Sequence, residues 1–146
     1  MKTSFKFTFY NGDELIKNQL LLETMNKICN EYDMGEILNF LESESIVCYM
    51  TLEDELMGFS WIFIHEEKHM AELCWFVTNK QKLKGLDGMI LLDKTLEFCK
   101  GKNVNKVKFN CAVDAWWRIN NKNILLSKYG YNIDENEKEY DVSIRI

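Results

Sequence analysis

Two apolar runs of strand length, residues 56–64 and 70–77, stand on either side of the charged pentapeptide His65-Glu66-Glu67-Lys68-His69. Short aromatic-rich runs bounded by a polar turn are the pattern of buried strands joined in a hairpin. The same feature limits the alternatives. A continuous helix through both runs would be apolar on all sides. The longest apolar stretch, residues 58–64, is far short of the roughly 18 residues that suggest a membrane span. The hairpin reading predicts Ile64 and Met70 on adjacent antiparallel strands, with residues 65–69 as the turn.

The pentapeptide also matches HExxH. On a helix, two histidines four apart share a face and bind one Zn²⁺, with Glu66 as the base. The chain has only two histidines, so a carboxylate would have to be the third ligand. The strand-like flanks favour the turn, and no metal site is expected. A zinc hydrolase is kept as the lesser alternative.

The remaining pattern fills in one domain, residues 1–146. Residues 4–10 alternate Phe5, Phe7 and Phe9 with polar positions, which is a strand. Asn11-Gly12-Asp13-Glu14 starts a helix of about 18 residues that carries Leu15, Ile16, Leu21, Leu22, Met25, Ile28 and Cys29 to one side. A shorter helix is expected over 33–43, a strand over 45–52 and a turn at 53–55. A helix over 86–99, a strand over 106–113, a helix over 116–129 and a closing strand over 140–146 follow. The polar stretch 132–139 reads as a turn between late strands. The order predicts an α/β fold: a mixed, mostly antiparallel central sheet of about six to seven strands with helices on both faces.

Charge and cysteine usage exclude several function classes. The net charge is −5, which argues against broad nucleic-acid binding and is compatible with a basic substrate such as an amine. The five cysteines are odd in number, form no CxxC pair and sit among apolar residues. They read as reduced, buried thiols of a cytoplasmic protein. No secretory signal or membrane partner is expected, since the N-terminal residues alternate instead of running apolar. Proline is absent, so turns fall to Gly, Asn, Asp and Ser.

The most informative stretch is 77–92, Val-Thr-Asn-Lys-Gln-Lys-Leu-Lys-Gly-Leu-Asp-Gly-Met-Ile-Leu-Leu. A buried strand runs through a basic, glycine-containing loop into an amphipathic helix. The first amides of a helix lack intrahelical partners and its dipole favours negative charge, so the arrangement suits an anion. Glycines allow close approach of a phosphate, and Lys82 and Lys84 add positive charge. The plain alternative is an ordinary strand-to-helix turn.

This stretch resembles the phosphate loop of the GNAT acyltransferases, a strand ending in Val followed by Arg/Gln-x-x-Gly-x-Gly/Ala and an aliphatic helix start. Lys82 falls on the Arg/Gln position, Gly85 on the first glycine, Asp87 on the second and Ile90-Leu91 on the aliphatic pair. A second segment, Asn120 to Tyr131, is similar to the family's Asn-x-x-Ala-x-x-Leu-Tyr-x-x-x-Gly-Phe through Asn120, Gly130 and Tyr131. The resemblance implies acetyl-CoA as acyl donor. Lys82, Leu83, Lys84, Gly85, Leu86, Asp87, Gly88 and Met89 would lie at its pyrophosphate, Phe76 and Val77 along the pantetheine, and Asn120 nearby.

Three departures accompany it. Asp87 puts a carboxylate in the phosphate loop and is expected to turn out to solvent or pair with Lys82 or Lys84. Leu126 stands where many members have a tyrosine that protonates the departing thiolate. The segment between Val113 and Asn120 is long and holds Trp116 and Trp117, read as a substrate wall or a subunit contact, the latter in a homodimer. Glu72 is the one ionisable residue within 70–77. Among Ala71, Leu73, Cys74 and Trp75 it is expected to be partly desolvated, which favours the proton-bound form, as a base for an amine requires. The alternative places it facing solvent. Tyr129 and Ser127 are candidate acids. The resemblance thus implies N-acetyl transfer to a primary amine, of a small molecule or a protein. The alternative is a GNAT-like protein that has lost catalysis and holds an acyl-CoA or a protein partner.

Overall fold

The computed structural model describes residues 4–28, 44–79, 82–83, 87–112, 130–135 and 139–146. Its elements are β1 (Lys6–Asn11), α1 (Gly12–Ile16), α2 (Gln19–Ile28), β2 (Ile46–Leu52), β3 (Glu55–His65), β4 (Met70–Thr78), α3 (Asp87–Gly101), β5 (Lys106–Ala112), β6 (Gly130–Glu135) and β7 (Glu139–Arg145). The strands form one seven-stranded sheet in the order β1-β2-β3-β4-β5-β7-β6. Every neighbouring pair is antiparallel except β4 and β5, which run parallel. The expected helices over 33–43 and 116–129 lie outside the described residues.

Alternation on the strands assigns the two faces. Val47 and Tyr49 of β2, with Phe59 and Trp61 of β3, pack against Leu15, Leu22 and Met25 of α1 and α2. Their neighbours Cys48, Met50 and Met57 turn the other way onto Leu91 of α3. Further along that second face, Ile62, Ala71, Leu73, Val107 and Ile144 meet Leu92, Leu96 and Cys99 of α3. Helices therefore cover both faces, and the fully buried Trp61 and Phe59 anchor the α1/α2 side. Each such side chain contributes roughly 1.5–3 kcal/mol on burial.

The hairpin forms, with Ile64 and Met70 on adjacent antiparallel strands as expected, but the turn is one residue shorter because His65 belongs to β3. His65 pairs with Met70 and Ile64 with Ala71, and a 3-10 turn, Glu66–Lys68, closes it, with His69 at φ 51°. Two further expectations are corrected. The single helix after Gly12 is two helices. Asn11 and Glu14 form a reciprocal capping box that starts α1. The chain breaks at Asn18, whose Oδ1 accepts from Leu21 N at 3.2 Å. An asparagine competes for backbone amides and so favours a cap over a helix interior. The second correction concerns residues 132–135, read as a turn, which belong to strand β6 and pair with β7.

Two small residues of β3 let α3 approach the sheet. A Cβ on Gly58 would lie 2.9 Å from Val77 O and 3.2 Å from Leu91 Cδ2. Ser60 is buried, and its hydroxyl is 2.6 Å from Thr95 Oγ1. Thr95 donates to Leu91 O at 2.8 Å, so Ser60 is the donor to Thr95. Thr95→Val therefore strands a buried donor, whereas Ser60→Ala removes that donor. Thr95→Val should cost about 1–3 kcal/mol, Ser60→Ala less, and the double variant less than the sum of the two. Urea unfolding of the four proteins measures this, and additivity would show that the hydroxyls do not act as a pair.

Candidate functional site

The site is built around β4, which has two different neighbours. Along its whole length it pairs with β3, from His65↔Met70 to Gly58↔Thr78. With β5 it pairs only at Met70↔Lys106, Ala71↔Val107 and Glu72↔Lys108. Beyond that point both strands continue, β4 to Thr78 and β5 to Ala112. β5 there remains paired with β7, through Ala112↔Glu139. The sheet thus splits, and Glu72 sits at the vertex. A bulge marks the same place: Trp61 faces Trp75 and Ile62 faces Leu73, so Cys74 is an extra residue in β4. A bulge of this kind bends the strand and re-aims the side chains beside it.

α3 begins at the open end of the split. Asn79 N donates to Met57 O at 2.8 Å, and Leu83 N donates to Asn79 O at 2.9 Å, so the chain folds back at once on leaving β4. Leu83 packs with Met57 and Leu91. Gly88, in the first turn of α3, would place a Cβ 3.7 Å from Thr78 Cγ2. The helix start is thus in contact with the end of β4.

The loop residues are arranged differently from the expectation. Lys82 is paired with Glu55 of β3, both side chains about half exposed. Asp87 is partly buried. It lines a pocket of about 220 Å³ with Lys82, Glu53, Glu55, Phe5 and Met57. Three carboxylates around one ammonium do not make an anion cradle. Leu83 and Leu52 complete the lining, so the pocket lies between the start of α3 and the β1–β3 side of the sheet. Lys84, Gly85, Leu86, Trp116, Trp117, Asn120, Leu126, Ser127 and Tyr129 lie outside the described residues. Phe76 is partly buried toward α3, and Val77 packs with the cluster under α1 and α2. Met89 packs against the α3-side core.

Glu72 also departs from expectation. Its apolar neighbours Ala71 and Leu73 point to the α3 face, where both are buried. Glu72 projects from the opposite face with its side chain 52% exposed. Period-two alternation is the reason, and the expected desolvation is not found. It bonds His65, Nε2 to Oε1, at 3.0 Å. Reading the sequence for zinc missed this partnership. The turn has four residues and pairs His65 with Met70, which puts His65 and Glu72 on one face; a turn over 65–69 would instead pair Ile64 with Met70. His69 turns elsewhere, its Nδ1 3.2 Å from Asn103 O. The HExxH residues therefore sit on a strand end and a 3-10 turn, with different partners. Among the described residues no group of three metal-ligating side chains occurs, and no helix is long and apolar enough to cross a membrane.

The whole arrangement, a mixed sheet with one parallel pair and helices on both faces, is similar in fold to solved GNAT acetyltransferases. An IAA acetyltransferase from Bacillus cereus superposes with a TM-score of 0.71 at 9% identity, covering 98% of this chain and all of that one. The PaiA N-acetyltransferase from Thermoplasma acidophilum, in complex with coenzyme A, gives 0.66 at 12% identity over 98% of both chains. The aminoglycoside 6′-N-acetyltransferase from Enterococcus faecium gives 0.69 at 12% identity, over 97% of this chain and 96% of that one. No family model and no curated protein matches by sequence. The chain has the GNAT fold.

The cysteines offer a direct check on this geometry. Burial pushes the Cys48 and Cys99 thiols up to about 12, Lys94 partly offsetting the effect at Cys48. Cys74, on the bulge, is exposed. At pH 8 both buried thiols stay protonated, and the thiolate is the nucleophile. Iodoacetamide should label Cys74 in the native protein and reach Cys48 and Cys99 only after unfolding, as read by peptide mass spectrometry. Early labelling of Cys99 would contradict the α3 packing.

Proposed function

We propose that the chain is an acetyl-CoA-dependent N-acetyltransferase acting on a primary amine by direct attack. The observation that carries this reading is the split of β4 from β5 with Glu72 at its vertex. The space between two diverging strands suits a narrow chain bearing amides, such as pantetheine, because strand backbone is complementary to amides. The helix start in contact with the end of β4 suits a pyrophosphate.

Acetyl-CoA supplies an activated thioester carbonyl. Residues of this chain would do the rest. Leu83, Gly88 and Met89 would stand along the pyrophosphate, and Phe76 and Val77 along the pantetheine. Glu72, half exposed on the face opposite α3, would take the proton from the incoming ammonium. The free amine then forms the N–C bond as the C–S bond breaks, the thiol leaves with a proton, and the proton the nitrogen sheds on becoming an amide restores the donor. Ser127 and Tyr129 are the candidate donors to the thiol, and Trp116 and Trp117 would border the acceptor. The acceptor is a small-molecule or protein amine.

The Glu55–Lys82 pair and the partly buried Asp87 favour a second reading, in which the fold holds an acyl-CoA or a protein partner without turnover. One ammonium that would face phosphate is engaged, and a carboxylate stands beside it.

Thermal shift with acetyl-CoA tests the common part. At about 100 times its Kd, ligand adds roughly 2.7 kcal/mol, on the order of 5–10 °C in Tm for a domain of this size. Glu72→Gln should lower kcat/KM for the amine by at least about tenfold and leave that shift nearly unchanged. Binding without any turnover would decide for the second reading, and no shift at millimolar acetyl-CoA would end both.

The Lys82 pair gives an independent expectation. An exposed ion pair contributes about 0–1 kcal/mol, so Glu55→Gln should release Lys82 at little cost in stability. Acetyl-CoA should then bind up to about threefold to fivefold tighter, the gain shrinking as salt rises. Calorimetric titration at two ionic strengths measures it. Unchanged affinity at low salt would show that Lys82 does not reach the phosphates.

A further inference from the structure

Glu72 does not stand alone at the vertex of the split. His65, the last residue of β3, lies across from Met70, and Phe63 lies directly across from Glu72. His65 and Glu72 are thus diagonal neighbours on one face, within reach of long side chains. The Nε2–Oε1 distance is 3.0 Å. A carboxylate only accepts hydrogen bonds, so the imidazole nitrogen is the donor. The Phe63 ring is 5.0 Å from the imidazole, centroid to centroid, at 60°. The imidazole is held by a ring on one side and by the carboxylate on another.

We infer that His65 is a positioning residue for Glu72: it occupies Oε1, fixes the carboxylate against the sheet and leaves Oε2 to receive the proton of the amine. The inference rests on the proposed reading of Glu72 as the base. Folding stability does not account for the pair, because His65 and Glu72 are 31% and 52% exposed and such pairs contribute little. A glutamate on an open sheet face otherwise samples many rotamers, and holding it in one removes an entropic cost from the reaction. The choice of partner is informative as well. Lys108 holds the register position beside Glu72 on β5, and Lys106 and Arg145 follow in the next row. Glu72 turns instead to the β3 side. A lysine partner would offer a mobile point charge, whereas the packed imidazole offers a donor of fixed direction. His65 keeps its own proton throughout. The proton received at Oε2 returns to solvent after the acetylated amine leaves.

The test is a set of five proteins: wild type, His65→Ala, His65→Gln, Glu72→Gln and the double variant His65→Ala/Glu72→Gln. Acetyl transfer from acetyl-CoA to tyramine, spermidine and glycinamide is followed by thiol release. His65→Ala should lower kcat about tenfold with KM for the amine within about twofold. Its Tm should stay within about 4 °C of wild type, as for an exposed pair. His65→Gln keeps an N–H at similar reach and should recover kcat to within about threefold of wild type. The double variant should be no slower than Glu72→Gln alone, since His65 acts through Glu72. A further loss in the double variant, or full activity of His65→Ala beside a slow Glu72→Gln, overturns the positioning role and leaves the proposed function standing. Full activity of Glu72→Gln, or no product from wild type with any probe, removes the reading beneath it and the inference with it.

Discussion

The architecture depends on one asymmetry in hydrogen bonding: β4 is paired on one side along its full length and on the other for three residues. A strand in that position joins two half-sheets at one end and separates them at the other. A parallel neighbour also requires a crossover connection, here through α3. The helix must start where β4 ends. Space between strands and the start of a helix are therefore brought together by topology, before any side chain is chosen. This is the general reason that ligands collect beyond the carboxyl ends of parallel strands.

The side chains then determine how closely the layers approach. Gly58 lies where β3, the end of β4 and α3 converge, and a Cβ there would collide with the Val77 carbonyl at 2.9 Å. Ser60, the next residue of β3 on that face, is satisfied through Thr95. The helix thus packs on a surface of small residues near the site and on larger ones, Ile62 and Leu73, farther down. On the opposite face the large residues Phe59 and Trp61 meet α1 and α2, and Tyr49 ties the layers by donating to Leu21 O at 2.7 Å. Glu72 is not part of that cluster, and its side chain is half exposed.

Periodicity made most of this legible. The paired apolar runs gave the hairpin, and the alternation of Phe5, Phe7 and Phe9 gave β1. The helix after the basic loop was likewise plain. What failed did so for identifiable reasons. The helix after Gly12 kept its apolar period through Asn18, so only the cap geometry revealed the break. β6 is a polar edge strand whose alternation, Tyr131 and Ile133 against Asn132 and Asp134, was outweighed by its polarity. Glu72 was judged by its neighbours in sequence, which on a strand lie on the other face. His65 was judged as half of a metal motif and placed in the turn, whereas it is the last residue of β3 and lies beside Glu72. Pairing across strands is a long-range property, and composition near a residue does not report it.

The acidic surroundings of Lys82 bear on how an anion would be held in the proposed reading. Lys82 answers to Glu55, and Asp87 stands in the same pocket. A second anion competing for Lys82 would gain little, since an exposed pair is worth at most about 1 kcal/mol. The helix start offers a different kind of stabilisation. Its amides are fixed by the backbone, need no side-chain ordering and carry a dipole contribution of about 0.3–1 kcal/mol per charge. In that reading, backbone would outweigh side-chain charge as the means of holding phosphate. Recognition of that kind follows the shape of the loop and the absence of Cβ atoms more than the count of lysines. It would also account for how a chain of net charge −5 could take an anionic ligand beside a carboxylate.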